Sequence, residues 1–148
     1  MSRPAVFVDR DGTLNRDCPY CHDPADLYVF VDTAKLLREY QDRGFYIIMI
    51  TNQSGLNRGY FSRDEFNEFN RALLAELSTL GVKVDDIFVC PHRPDEKCAC
   101  RKPATGLIEQ AQRKYDIDMS GSVVIGDRDD MDGELARKLG LKFILMNH

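Results

Sequence analysis

Short apolar runs alternate with longer amphipathic stretches along almost the whole chain, and this alternation restricts the fold more than any other feature. The runs AVFVD (5–9), FYIIMITN (45–52), DIFVC (86–90), SVVIGD (122–127) and KFILMN (142–147) are rich in β-branched or aromatic residues and have strand length. Between them, residues 33–43, 62–80, 105–115 and 131–139 carry apolar side chains at helical spacing. Ser62, with Glu65 three positions later, has the spacing of a capping box. Gly44, Gly81 and Gly140 stand where helices should end. Near-continuous apolar strands separated by helices predict a parallel α/β sheet covered on both faces. In such sheets ligands bind beyond the carboxyl ends of the strands, so those ends are the place to search for chemistry.

The totals narrow the partners. With 148 residues the chain is expected to form one domain over 1–148, large enough to bury about two thirds of its unfolded surface. A net charge of −4 gives no electrostatic reason to bind nucleic acid or an anionic membrane. The opening MSRPAVFVDRDGT meets a charged pair too early for a signal peptide, and no run approaches the length of a membrane span. The expectation is a cytoplasmic protein, where thiols stay reduced and clustered cysteines usually mean metal.

The strand ends carry a coherent polar set. DRDGTLN follows the first strand, with Asp9 and Asp11 two positions apart. TNQSG closes the second strand, with Thr51, Asn52, Gln53 and Ser54. Lys102 lies past the third, and GDRDDMD follows the fourth, with Asp127. An aspartate at a strand end is often only a helix cap. Four such ends in this order are a far more specific signal.

A second cluster is as dense. CPHRPDEKCACRKP places Cys90, His92, Cys98 and Cys100 within eleven positions, directly before Arg101 and Lys102. Three thiols and an imidazole are the usual complement of a tetrahedral Zn²⁺, and four protein ligands leave no place for a reactive water. The site therefore reads as structural zinc, with the loop setting Arg101 and Lys102 over the strand ends. A nucleic-acid zinc ribbon would want a basic surround, and Asp95 and Glu96 stand inside the loop.

Together the strand-end motifs resemble those of the haloacid dehalogenase superfamily of phosphotransferases over essentially the whole chain. Its first motif stands here as Val6-Phe7-Val8-Asp9-Arg10-Asp11-Gly12-Thr13, its second as Thr51, its third as Lys102 and its fourth as Gly126-Asp127 with a later acid, Asp132. The resemblance implies a Rossmann-like three-layer domain and a phosphatase that uses Mg²⁺, held by Asp9, Asp127 and the backbone carbonyl of Asp11. Asp9 would attack phosphorus to give an aspartyl-phosphate, and Asp11 would serve as general acid and then general base. Thr51, the Asn52 region and Lys102 would hold the phosphoryl oxygens.

The zinc loop joined to Arg-Lys-Pro resembles, more narrowly, the subfamily of D-glycero-D-manno-heptose 1,7-bisphosphate and histidinol-phosphate phosphatases, which lack a separate cap domain. TNQSGLNRGYF and RKPATGL resemble the heptose branch, whereas the five-residue zinc spacer resembles the histidinol-phosphate form. The leading expectation is release of the 7-phosphate of the heptose bisphosphate. Histidinol phosphate is the alternative, followed by a DNA 3′-phosphatase and a non-catalytic zinc-binding module. Asp17, Tyr20 and His22 match a substrate-contacting loop of the heptose enzymes, while Arg101 and Arg128 would meet a remote anionic group. Cys18 and Cys21 with His22 leave a second metal site open. The expected partner is a small phosphate ester, with no nucleic acid and no membrane, and the expected assembly is a monomer.

Overall fold

The computed structural model describes residues 2–148. Five strands form one parallel sheet: β1 (Ala5–Val8), β2 (Tyr46–Asn52), β3 (Asp86–Cys90), β4 (Val123–Gly126) and β5 (Lys142–Leu145), in the order β3-β2-β1-β4-β5. The helices are α1 (Val31–Asp42), the single turn α2 (Gly55–Arg58), α3 (Arg63–Thr79), α4 (Gly106–Lys114) and α5 (Glu134–Leu139). The chain builds outward from β1 in one direction through β2 and β3, then returns to build β4 and β5 on the other side. The carboxyl ends of β1 and β4 therefore meet at the point where strand order reverses, the usual place for a ligand crevice in a doubly wound sheet.

Alternation along each strand sorts side chains to two faces. Val6, Val8, Ile47, Met49, Val123 and Ile125 pack on one face with Leu37 and Tyr40 of α1 and Leu73 and Leu77 of α3. Phe7, Ile48, Ile50 and Val124 pack on the other with Leu107 and Ala111 of α4 and Leu135 and Ala136 of α5. This is the three-layer α/β arrangement expected from the sequence. The edge strands depart from it, because β3 is only partly buried before Cys90 and both ends of β5 are exposed.

Local signals explain the helix boundaries. Ser62 Oγ accepts from Glu65 N at 3.1 Å and Glu65 Oε1 accepts from Ser62 N at 2.9 Å, closing the capping box before α3. The last helix begins later than its apolar spacing suggests, at Glu134 rather than near 131. Residues Asp129–Gly133 instead form a wider turn, in which the amides of Met131, Asp132 and Gly133 all point to the Arg128 carbonyl. The wider turn coincides with burial of Asp132, which a periodicity argument would leave on an ordinary helical surface.

Candidate active site

A cavity of about 210 Å³ opens at the carboxyl end of the sheet. Asp9 and Asp11 enter it from the end of β1, Asn52, Gln53 and Ser54 from β2, Arg101 and Lys102 from the loop after β3, and Asp127, Arg128 and Asp132 from the segment after β4. Asp17 and Tyr20, from the long connection between β1 and α1, complete the wall with Cys18 and Met131. Of the strand-end residues singled out in the sequence, Thr51 alone does not line the cavity. It is buried beneath, where its hydroxyl oxygen accepts from Gln53 Nε2 at 2.8 Å.

Lys102 is the electrostatic centre. Its buried ammonium uses all three N–H bonds, toward Asp9 Oδ1 at 2.9 Å, Asp132 Oδ1 at 2.8 Å and the Ile50 carbonyl at 3.1 Å. Burial opposes the charge on Lys102, but the Asp9 and Asp132 carboxylates outweigh it and hold the ammonium above the ordinary lysine range. Burial, helped by the Asp132 and Asp11 charges, raises the Asp9 carboxyl to about 8 against the downward pull of Lys102. Three carboxylates, Asp9, Asp127 and Asp132, bring oxygens within 4.8 Å of one another, and two of them, Asp9 and Asp132, contact this ammonium. Hard oxygen donors with excess negative charge fit a divalent cation such as Mg²⁺.

Two glycines make that crowding possible. A Cβ at Gly12, which has φ +84°, would collide with the Asp127 carboxylate, and one at Gly126 would collide with that of Asp132. Both carboxylates approach the backbone where only hydrogen leaves room. Thr13, fully buried, stands 3.5 Å from Asp9 Oδ2 and 3.4 Å from Asp127 Oδ1.

Two residues assigned to substrate from the sequence are occupied otherwise. Asn52 grips the backbone of Lys102 from both sides: its Oδ1 accepts from Lys102 N at 2.9 Å and its Nδ2 donates to Lys102 O at 3.2 Å. Gln53 Nε2 donates to Asp11 Oδ2 at 2.8 Å as well as to Thr51. Their amides hold Lys102 and Asp11 in place, a use that residue type alone does not distinguish from ligand contact. Arg128 forks onto Asp130, and Arg101 Nη1 donates to the His92 carbonyl at 3.4 Å, leaving each side chain at the cavity edge.

The four residues of the zinc-type cluster come together after β3. Cys90 Sγ lies 3.3 Å from His92 Nδ1 and 3.8 Å from Cys98 Sγ, and His92 Nδ1 lies 3.2 Å from Cys100 Sγ. A tetrahedron with metal–ligand bonds of about 2.0–2.3 Å has edges of about 3.3–3.8 Å, so these separations fit a zinc site. Glu96 ties the loop to α2 by accepting from Asn57 Nδ2 at 3.1 Å and from Arg93 N at 2.6 Å.

The other cysteines depart from the expectation of reduced thiols. Cys18 and Cys21 are joined as a disulfide. His22 turns away from them, with Nδ1 2.8 Å from the Tyr20 carbonyl and its ring stacked on Phe61. Among the described residues these three form no cluster of metal-ligating atoms. Adjacent positions in Cys-x-x-Cys-His need not converge, because successive side chains in an irregular loop leave in different directions.

Residues 99–148 match the family model described as HAD-hydrolase-like. The chain is 57% identical, over 97% of its length and 89% of the relative's, to the Thermoplasma acidophilum protein named "Probable D-glycero-D-manno-heptose-1,7-bisphosphate 7-phosphatase". The chain belongs to this family of HAD-like phosphatases. The D-glycero-beta-D-manno-heptose-1,7-bisphosphate 7-phosphatase of Yersinia pestis is 40% identical over 98% of this chain and 81% of its own. The solved D,D-heptose 1,7-bisphosphate phosphatase of B. bronchiseptica, complexed with magnesium and phosphate, superposes with a TM-score of 0.86 at 32% identity, covering 96% of this chain and 79% of that one. The protein is thus a phosphatase, a phosphoric monoester hydrolase. No helix among the described residues is long and apolar enough to cross a membrane.

Sequence inspection missed Arg10, Asn15 and Asn70, polar residues buried around the site. Arg10 stands inside the first motif, where its flanking aspartates draw attention away from it. Asn70 lies on the apolar face of α3, and a polar residue at a core position was the available signal.

Proposed function

We propose that this phosphatase removes the 7-phosphate of D-glycero-D-manno-heptose 1,7-bisphosphate through an aspartyl-phosphate on Asp9. The observation that carries the chemistry is the placing of Asp9 against Lys102 and beside Asp11 in one cavity. The substrate rests on the named activities of the relatives.

In this reading an Asp9 carboxylate oxygen attacks phosphorus as the bond from phosphorus to the sugar oxygen breaks. Asp11 gives its proton to the departing alcohol. Asp11 then takes a proton from the water that attacks the aspartyl-phosphate, and Asp9 is released with inorganic phosphate. Asp9, Asp127 and the Asp11 carbonyl would hold Mg²⁺, with Asp132 behind them. When bound, that ion supplies positive charge that lowers the repulsion between an anionic nucleophile and a phosphate monoester. Lys102 orients Asp9 and favours its ionised form against burial, and the backbone amides after β2 would meet phosphoryl oxygens, with Thr51 held beneath them by its bond from Gln53.

Arg101 and Arg128 at the cavity edge suit the second phosphate, since a guanidinium binds phosphate bidentately. Asp17, Tyr20 and Ser54 would meet the sugar. Zn²⁺ on Cys90, His92, Cys98 and Cys100 would be structural and hold the loop that delivers Arg101 and Lys102.

Kinetics with both esters decide the substrate. A higher kcat/KM for the heptose bisphosphate than for histidinol phosphate is expected, with the preference reduced in Arg101→Ala. A better rate with histidinol phosphate would assign Asp17 to a cationic substrate and overturn the heptose reading.

A further inference from the structure

Arg10 has the largest of the fully buried side chains, and the phosphoryl-transfer scheme above makes no use of it. Burying a guanidinium costs several kcal/mol unless its donors are met. Here they are met in a directed way. Nε donates to Asp11 Oδ1 and Nη2 to Asp11 Oδ2, both at 3.1 Å, a bidentate fork on one carboxylate. Nη1 donates to Asn70 Oδ1 on α3 at 3.0 Å, and Nη2 also donates to the Cys21 carbonyl at 2.9 Å. The Phe69 ring lies 4.6 Å from the guanidinium carbon. Helix α3 and the loop after β1 therefore fix Arg10 from behind, and Arg10 fixes Asp11 in the cavity wall.

We propose that Arg10 is the positioning residue for proton transfer by Asp11, setting the plane of its carboxylate so that Oδ2 meets the leaving oxygen. The inference rests on the reading of Asp11 as general acid. Asp11 accepts four hydrogen bonds, two from Arg10, one from Asn15 Nδ2 at 3.1 Å and one from Gln53 Nε2 at 2.8 Å. Gln53 is the donor among these residues that also lines the cavity. A neutral amide hydrogen bond is cheaper to give up than a charge-assisted one. In this reading Gln53, whose Oε1 also accepts from Arg10 Nη2 at 3.3 Å, gives up its Nε2 contact with Oδ2 to the substrate oxygen while the Arg10 fork persists. A lysine could supply charge at position 10, but it has no planar fork to hold the plane.

A purely structural Arg10, tying α3 to the loop, would affect all substrates alike. A positioning role would not. Arg10→Lys is assayed with the heptose bisphosphate, an alkyl ester, and with p-nitrophenyl phosphate, whose leaving group needs little protonation. With the alkyl ester kcat/KM should fall about 100-fold, and with the nitrophenyl ester less than about tenfold, because kcat/KM reports the steps through release of the alcohol and excludes the aspartyl-phosphate hydrolysis common to both esters. If near-ultraviolet circular dichroism shows Arg10→Lys unfolded, Asn70→Ala decides instead. It removes one anchor of the guanidinium from outside the cavity, and the same leaving-group bias is expected at smaller size. An equal loss on both esters, or no loss, in whichever variant is folded overturns the positioning role. Asp9→Asn separates the two levels: residual turnover above about a tenth sinks the aspartyl-phosphate reading itself. An inactive Asp9→Asn beside an unbiased Arg10→Lys sinks the Arg10 inference alone.

Discussion

Lys102 Nζ lies 2.9 Å from Asp9 Oδ1 although 93 positions separate the two residues in the chain. The same ammonium reaches Asp132 at 2.8 Å, so one buried cation joins the ends of β1, β3 and β4. The backbone of Lys102 is itself held by Asn52 at the end of β2. All four strand ends thus depend on one side chain for charge balance and on one asparagine for its placement.

Removing that cation strands two carboxylates. Lys102→Met is expected to lose turnover and about 3–5 kcal/mol of stability, as for other buried pairs broken from one side. The double variant Lys102→Met/Asp132→Asn should recover part of the stability, because one stranded charge is gone. Urea unfolding at neutral pH measures both. A single variant within about 1 kcal/mol of the parent would show that the ion triad is not stabilising.

The carboxylate crowding makes a separate prediction at the glycines. Gly126→Ala should displace the Asp132 carboxylate, and Gly12→Ala should displace that of Asp127 while also straining a backbone at positive φ. Both should weaken Mg²⁺ binding by about tenfold or more, as read by calorimetric titration of the metal, with Gly12→Ala the less stable protein. Unchanged metal affinity in a folded Gly12→Ala would remove Asp127 from the metal site.

Metal content tests the loop after β3. Protein prepared without chelators should carry about one zinc per chain, retained through dialysis, while Mg²⁺ exchanges freely. Cys98→Ser should lose that zinc and lower kcat through the misplaced Lys102 loop. A zinc-free wild-type protein would defeat the cluster as a metal site, and two zincs per chain would assign metal to Cys18, Cys21 and His22 despite their arrangement here.

A surface element supplies the pH prediction. Burial opposes the charge on Asp86, but hydrogen bonds from Lys114 Nζ and from Tyr115 Oη, the latter at 2.8 Å, outweigh it and hold its pKa below the ordinary value of 3.8. A carboxyl with a depressed folded pKa contributes stability above its unfolded pKa and loses it as pH falls through the folded one. Asp86→Asn should therefore flatten the fall in urea midpoint below about pH 4 relative to the parent. Parallel curves for the two proteins would assign the acid sensitivity elsewhere.

Periodicity and residue type were enough to read the three-layer sheet, the cap at Ser62, the cavity at the strand ends and the cysteine–histidine cluster. Each depends on order along the chain: alternation places side chains on faces, and a parallel sheet brings every carboxyl end to the same edge. The one-dimensional pattern was also enough to pick Asp9, Lys102 and Asp127 out as a group, to which the family resemblance added Asp132. It could not show what polar side chains do once they meet. Asn52 and Gln53 looked like substrate ligands and serve as struts to Lys102 and Asp11, and Arg10 vanished between two aspartates. Cys18 and Cys21 with His22 left a second metal site open, and the fold joined the two cysteines to each other while turning His22 aside. A hydrogen bond is decided by distance and direction between groups remote in sequence. Only the packing of α3, the β1 loop and the β2 end against one another supplies those.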